Sequence, residues 1–203
     1  MGRRARHSKE QFQRLALGAA QEIIAEAGLQ SLNVRAVAAR MECSVGTIYN
    51  FFEGIEELLA LINGETLDAL HETLSRAPVS GQPERDLHVL LDLYLQFITE
   101  RESSWNLLFE ERLPEAKDAP DWYFDKIARL FALLARILEP LFRPDQEEAL
   151  ANAVRLLWIS LHGVWSLNAR GHLSIVTGDA LETVAHSMVE THLAGLRAGA
   201  SSA

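Results

Sequence analysis

A single cysteine, Cys43, is all the sulfhydryl chemistry this sequence has, so no disulfide can close within one chain and nothing calls for an oxidising compartment. No run of eighteen uncharged apolar residues occurs, which excludes a membrane-spanning helix of the usual kind. The basic start, Met1-Gly2-Arg3-Arg4-Ala5-Arg6-His7, is followed by no apolar stretch such as a secretory signal needs. The expected location is the cytoplasm, with no membrane partner. The seven histidines are scattered and form no His-x-x-x-His pair beside an acid, so no metal site is expected. There is no glycine-rich phosphate loop and no serine nucleophile elbow. Glu110 and Glu111 adjoin on a predicted helix and would point in different directions. No catalytic residue and no cofactor are expected, and the chain does not read as an enzyme.

What is present reads as an ordinary globular protein. Its 203 residues, 48% of them hydrophobic and 23% charged, are enough to bury a substantial core without a disulfide or metal. The net charge of −9 argues against a nucleic acid partner until its distribution is read. Through Phe52 there are seven basic residues (Arg3, Arg4, Arg6, Lys9, Arg14, Arg35, Arg40) against four acids, and beyond it twelve against twenty-four. A basic head is joined to an acidic body, and a phosphate backbone attracts the first and repels the second.

Helical periodicity runs almost throughout. Phe12, Leu15, Ala16, Ala19, Ala20, Ile23, Ile24 and Ala27 recur at three- and four-residue steps, with Ser8 and Gln11 spaced as a capping box and Gly28 placed to end the helix. Asn33 is placed to cap a short helix over about 34–41, and Ser44 a third to about Phe51. A longer helix is predicted from Ile55 to about Arg76, followed by the breaker Ala77-Pro78-Val79-Ser80-Gly81-Gln82-Pro83. Further helices are predicted over 84–100, 103–112, 121–142, 145–170 and 178–198. Pro114, Pro120, Pro144 and the Gly171 and Gly178 region separate them. There is no sustained strand alternation. The expected fold is all-α, about nine helices, with a three-helix helix-turn-helix head (8–67) on a larger helical bundle (68–200).

Three helices in about fifty residues, with a short turn between the second and third, describe a head that reads DNA. The recognition helix must start with small or polar residues to approach base edges in the major groove. Here those are Ser44, Val45, Gly46 and Thr47, followed by Tyr49 and Asn50. Gly46 lets the backbone come close, and Thr47 can bond a phosphate or touch a thymine methyl.

The stretch Leu32-Asn33-Val34-Arg35-Ala36-Val37-Ala38, then Ser44-Val45-Gly46-Thr47-Ile48-Tyr49-Asn50-Phe51-Phe52, then Glu56-Glu57-Leu58-Leu59, resembles the N-terminal domain of the TetR family of repressors. The resemblance covers residues 8 to about 60. It implies phosphate or base contacts by Thr47, Tyr49 and Asn50, and a small core of Val34, Val37, Ala38, Ile48 and Phe52. Arg35, Ser44, Val45, Gly46 and Phe51 complete the expected DNA-facing set, Phe51 being open to either packing or partial exposure. Three positions depart from the family pattern. Glu42 stands at the turn's usual glycine, and Cys43 follows as a buried apolar residue or a redox sensor. Ile55 replaces a lysine that meets a phosphate. The start of the long helix would still offer backbone N–H groups to a phosphate. The arm Arg3, Arg4, Arg6 and Lys9 either reaches DNA or is a solubilising tail.

The resemblance further implies that the body dimerises and binds a small effector. Ala149, Ala153, Leu156, Leu157, Ser160, Leu161 and Val164 mark one side of the penultimate helix, and Leu181, Val184, Ala185, Met188, Val189, His192 and Leu196 one side of the last. Two such helices from each subunit would form a four-helix bundle between homodimer partners and set two heads on a palindromic double-stranded DNA operator. The segment Leu157–Leu167 resembles the His-Gly-centred helix of one group of TetR ligand domains. Trp158, His162 and Trp165 lie on one helix face, as ligand contacts or as core. Phe97, Trp105, Phe109 and Trp122 are the other candidate ligand contacts, consistent with an apolar or aromatic effector. The function expected is a repressor released from its operator by that effector. A ligand-independent DNA-binding protein and an all-α enzyme are the alternatives.

Overall fold

The computed structural model describes residues 8–109 and 120–201. Arg3, Arg4 and Arg6 of the basic arm, together with Glu110, Glu111 and Pro114, lie outside the described residues. Among the described residues there are ten α-helices and no strand. Contacts divide the chain into two units, Met1–Asp68 with Arg101–Phe124, and Ala69–Glu100 with Asp125–Ala203.

The first unit opens with α1 (Lys9–Ala27). Ser8 Oγ accepts from the Gln11 amide at 3.2 Å, and the Gln11 side chain accepts from the Ser8 amide at 3.0 Å, so the capping box forms as its spacing predicts. Gly28, at φ 75°, ends the helix by donating to Ile24. Asn33 caps α2 (Val34–Arg40) by accepting from the Ala36 amide at 3.0 Å. Ser44 caps α3 (Val45–Tyr49) by accepting from Thr47 at 3.1 Å, and α3 stops short of the expected Phe51. The helix α4 (Ile55–Ser75) starts in this unit, and α6 (Glu102–Asn106) belongs to it. The core is Phe12, Ala16, Ala20 and Ile23 from α1, Val37 and Ala38 from α2, Ile48, Phe52, and Leu58, Leu59 and Ile62 from α4, joined by Leu107. That last contact brings in a segment from far along the chain. Asn63, wholly buried, donates from Nδ2 to the Leu107 carbonyl at 3.3 Å.

In the second unit α5 (Pro83–Glu100) begins at the last residue of the breaker, whose loop is tied down by Asp86. The buried Asp86 carboxylate accepts from the Ser80 hydroxyl at 2.6 Å and from the amides of Ser80 and Gly81 at 2.9 Å. The Ser80 hydroxyl bond, with the amides beside it, holds its carboxyl below the ordinary carboxylate range. The remaining helices are α7 (Asp121–Leu138), α8 (Glu147–Ala169), α9 (Leu173–Thr177) and α10 (Leu181–Ser201), α7 and α4 each running across the division between units. On α8, Ala153, Leu157, Leu161 and Trp165 are buried; on α10, Leu181, Ala185, Val189 and Leu193 are. Every fourth residue of each helix thus forms a ridge packed within the unit.

One predicted helix ends early and one helix was not predicted, each for an identifiable reason. The helix predicted over 121–142 stops at Leu138 and tightens into a turn over Glu139–Leu141, because Pro140 has no N–H to continue the ladder. Between the last two predicted helices lies α9, five residues long, with buried Leu173 and a left-handed Gly178 (φ 76°) closing it. So short a helix carries no periodicity to read.

Candidate functional site

Two places in the chain carry the expected chemistry, one in each unit. In the first unit the turn between α2 and α3 is closed by the Cys43 amide donating to Ala38 at 2.9 Å and the Glu42 amide donating to Ala39 at 3.1 Å. Glu42 sits at φ 51°, and among the described residues no other non-glycine has a positive φ. This is the position where the resemblance leads one to expect glycine, and the left-handed backbone is why. Cys43 is half-buried against the head core.

Ile48, 2% exposed, pins α3 to that core and turns the opposite face outward. Tyr49 (56% exposed) and Val45 (36%) stand on the outward face with Ser44, Gly46 and Asn50, and Arg35 is exposed near the start of α2. Thr47 is half-buried, its hydroxyl 2.8 Å from Ser44 Oγ. A Cβ added at Gly46 would meet only Ser44 Oγ, at 3.8 Å, so nothing inside the chain requires glycine there. Phe51 stacks on Phe12 with ring centroids 4.2 Å apart and planes at 21°, which places it in the packing of the head.

The charge on this unit is less free than its residue count suggests. Arg40 is held by Glu26 and, at 3.1 Å, by Glu22, both on α1. Ile55 is half-buried on the head core. Glu57 reaches back to accept from the Glu53 amide at 2.7 Å, and Glu53, Glu56 and Glu57 line a cleft of about 430 Å³ with Leu61, Pro120 and Trp122. These carboxylates place negative charge beside the start of α4.

In the second unit the rings of Trp158 and His162, one turn apart on α8, meet with centroids 4.2 Å apart and planes tilted by 43°. Phe131 of α7 meets Trp158 edge-on at 5.5 Å, and Tyr94 of α5 lies 6.2 Å from His162. His162 Nδ1 is 2.6 Å from the Trp158 carbonyl and so carries the proton and donates to it. Burial pushes the His162 pKa down to about 4, the carbonyl bond offsetting part of this, so the imidazole is neutral at pH 7. Burial likewise raises the Tyr94 phenol. Beside this cluster is a cavity of about 20 Å³ lined by Leu74, Leu87, Leu90, Leu91, Tyr94, Leu130, Leu134, Trp158, Leu161 and Val189.

Of the seven candidate ligand contacts, Trp158 and His162 come together here. Phe97 and Trp165, each 4% exposed, are core of the same unit and do not line the cavity. Trp105, fully buried, and Trp122, half-buried on the acidic cleft, belong to the first unit. Phe109 closes the tight turn Leu107–Phe109. The leucines of α5 and Val189 of α10 were missed as cavity residues. Their spacing marks a buried face but not that two such faces meet around a void.

The apolar sides expected to meet a partner subunit are partly internal. Ala153, Leu157, Leu161, Leu181, Ala185 and Val189 are buried within the unit. The exposed apolar stripe of α8 is instead Leu156 (49%), Ile159 (63%) and Leu167 (40%), with Gly163 between them. Among the described residues no group of three His, Cys, Asp or Glu side chains could hold a metal, and no helix is long and apolar enough to cross a membrane.

Residues 16–62 match the sequence profile of bacterial regulatory proteins of the tetR family, and residues 87–192 match that of the tetracyclin repressor-like C-terminal domain. No curated protein matches the chain. Among solved structures, a protein of unknown function from Rhodococcus sp. RHA1 is similar at a TM-score of 0.71 and 18% identity, covering 97% of this chain and 100% of that one. A TetR-family transcriptional regulator from Streptomyces coelicolor is similar at 0.64 and 19%, covering 91% and 98%. Thermus thermophilus FadR, a TetR-family transcriptional repressor solved in complex with lauroyl-CoA, is similar at 0.60 and 21%, covering 91% and 92%.

Proposed function

The chain belongs to the TetR family of bacterial transcriptional regulators, and from that premise we propose that it is a homodimeric repressor released from a palindromic operator by an apolar effector. The observation that carries the reading is the outward face of α3. Ile48 anchors it, and Val45, Gly46, Tyr49 and Asn50 are turned away from the core with no packing role for Gly46. In this reading Arg35, Ser44, Val45, Gly46, Thr47, Tyr49 and Asn50 form the DNA surface. Two such helices in a dimer enter major grooves about one turn, ~34 Å, apart. The second copy covers Leu156, Ile159 and Leu167 of α8.

The effector reading rests on the Trp158–His162 cluster and its leucine-lined cavity. A neutral histidine among apolar side chains favours an uncharged or acyl group over an anion. A ligand of ordinary size needs a pocket of about 300 Å³ or more, so the cavity must expand on binding. FadR from Thermus thermophilus, which was solved with lauroyl-CoA, makes a long acyl chain a reasonable first ligand to try. Ligand then selects a dimer whose heads are wrongly spaced for the two half-sites.

Selection of bound fragments from genomic DNA, followed by anisotropy with and without acyl-CoA and aromatic compounds, tests the whole reading. A chain that retains no fragment over a random control is not a repressor of this kind. A compound that binds tightly yet leaves operator affinity unchanged removes the effector mechanism.

A further inference from the structure

A polar seam joins α5 to α10 on the edge of the cavity. On α5, Glu84, His88 and Asp92 stand on successive turns; on α10, Glu182, His186 and Glu190 do the same, with Arg197 beyond. His88 Nδ1 lies 2.7 Å from His186 Nδ1, and the two rings are stacked with centroids 4.9 Å apart and planes at 17°. His186 Nε2 lies 2.9 Å from Asp92 Oδ1, and Arg197 donates to Glu84 at 2.9 Å. Leu87, Leu90, Leu91 and Tyr94 of α5 and Val189 of α10, neighbours of the two histidines in sequence, line the cavity. The histidine pair played no part in the sequence reading, because 98 residues separate its members.

The proton positions follow from the geometry. A carboxylate only accepts, so His186 carries a hydrogen on Nε2. The two facing Nδ1 atoms can bond only if one holds a hydrogen and the other a lone pair. With His186 neutral its Nδ1 is the acceptor, and His88 donates from Nδ1. A proton taken from water at His88 Nε2 leaves this bond intact. A second proton can go only to His186 Nδ1. Two N–H groups then face each other, the bond is lost, and two imidazolium charges oppose across stacked rings. The charged groups on the two faces carrying the pair are Glu84 and Asp92 on α5, and Glu182, Glu190 and Arg197 on α10. Of the other elements packed on α10, the turn Glu139–Leu141 carries Glu139, and α8 carries His162 on its side toward Tyr94.

We propose that His88 and His186 form a one-proton latch, holding α5 against α10 beside the cavity until a second proton separates them. Acidification then opens the wall that an effector must part. The latch rests on the effector reading only in naming what the opened space is for.

Histidine ring nitrogen NMR on the ligand-free, full-length chain tests it, with amide hydrogen exchange as the second readout. Over pH 8 to 4.5, two of the seven histidine signals, those altered in His88→Gln, are expected to change in two separate steps rather than one. Amide exchange in α5 and α10 around Leu87–Leu91 and His186–Val189 should rise at least about tenfold across the second step, the size of one lost charged hydrogen bond. His88→Gln keeps a hydrogen-bonding side chain that cannot take the proton, and should abolish that rise. A single shared step for both histidines, or the same rise in His88→Gln, overturns the latch. Neither result depends on any effector binding, so loss of the effector reading leaves the measurement intact.

Discussion

His162 makes folding stability depend on pH in a way that can be isolated. Its pKa is about 4 in the folded chain because the ring is buried against Trp158 and Tyr94. In the unfolded chain an imidazole titrates near its ordinary ~6.5. The unfolded state therefore binds a proton more readily over the interval between these values. The contribution of His162 is fully present above about pH 6.5 and is lost as pH falls toward 4. From pH 6.5 to 5.0 the loss is about 2 kcal/mol, and down to pH 4 about 3 kcal/mol, at 1.36 kcal/mol per pH unit. Urea unfolding followed by far-ultraviolet circular dichroism, at fixed protein concentration and several pH values, measures it in the wild type and in His162→Phe. The variant should lose little at pH 7.5, about 1 kcal/mol for the missing bond to the Trp158 carbonyl. Between pH 6.5 and 5.0 its stability should fall by about 2 kcal/mol less than the wild type's. Other titrating groups, including His192, which burial also lowers, are common to both proteins and cancel in the difference. Parallel pH profiles for the two proteins would refute the claim that this imidazole is buried and neutral.

Four further outcomes are expected. Gly46→Ala should leave thermal stability unchanged or raise it by up to about 1 kcal/mol, since alanine favours helix, while weakening operator binding in an anisotropy titration; undiminished binding removes Gly46 from the DNA surface. Tyr49→Ala should weaken operator affinity with sedimentation behaviour unaltered, and wild-type affinity would take Tyr49 off the DNA surface. Glu42→Gly should raise the melting free energy by up to about 1 kcal/mol by relieving a left-handed φ, and a lower melting temperature would contradict that reading. Ile159→Glu should convert dimer to monomer in sedimentation equilibrium while circular dichroism stays helical; an intact dimer would move the interface off this stripe.

The local rules were legible in the sequence because their physics is local. Ser8, Asn33 and Ser44 cap the helices they were expected to cap, since a short polar side chain three residues ahead of an orphan amide has little else to do. The all-α class and the helix-turn-helix head follow from three- and four-residue periodicity and the Gly46–Phe52 motif. Tertiary structure alone decided what those rules leave open. It assigned Leu107 to the core of the first unit, and the ridge Ala153–Leu157–Leu161 to the inside of the second, leaving Ile159 exposed. An amphipathic helix announces that it has a buried face, not which neighbour buries it. It also tied the Glu57 carboxylate to the Glu53 amide just ahead of α4, and brought His88 to within hydrogen-bonding reach of His186. A hydrogen bond across 98 residues leaves no trace in local sequence, because folding brings its two halves together only through the packing of everything between them.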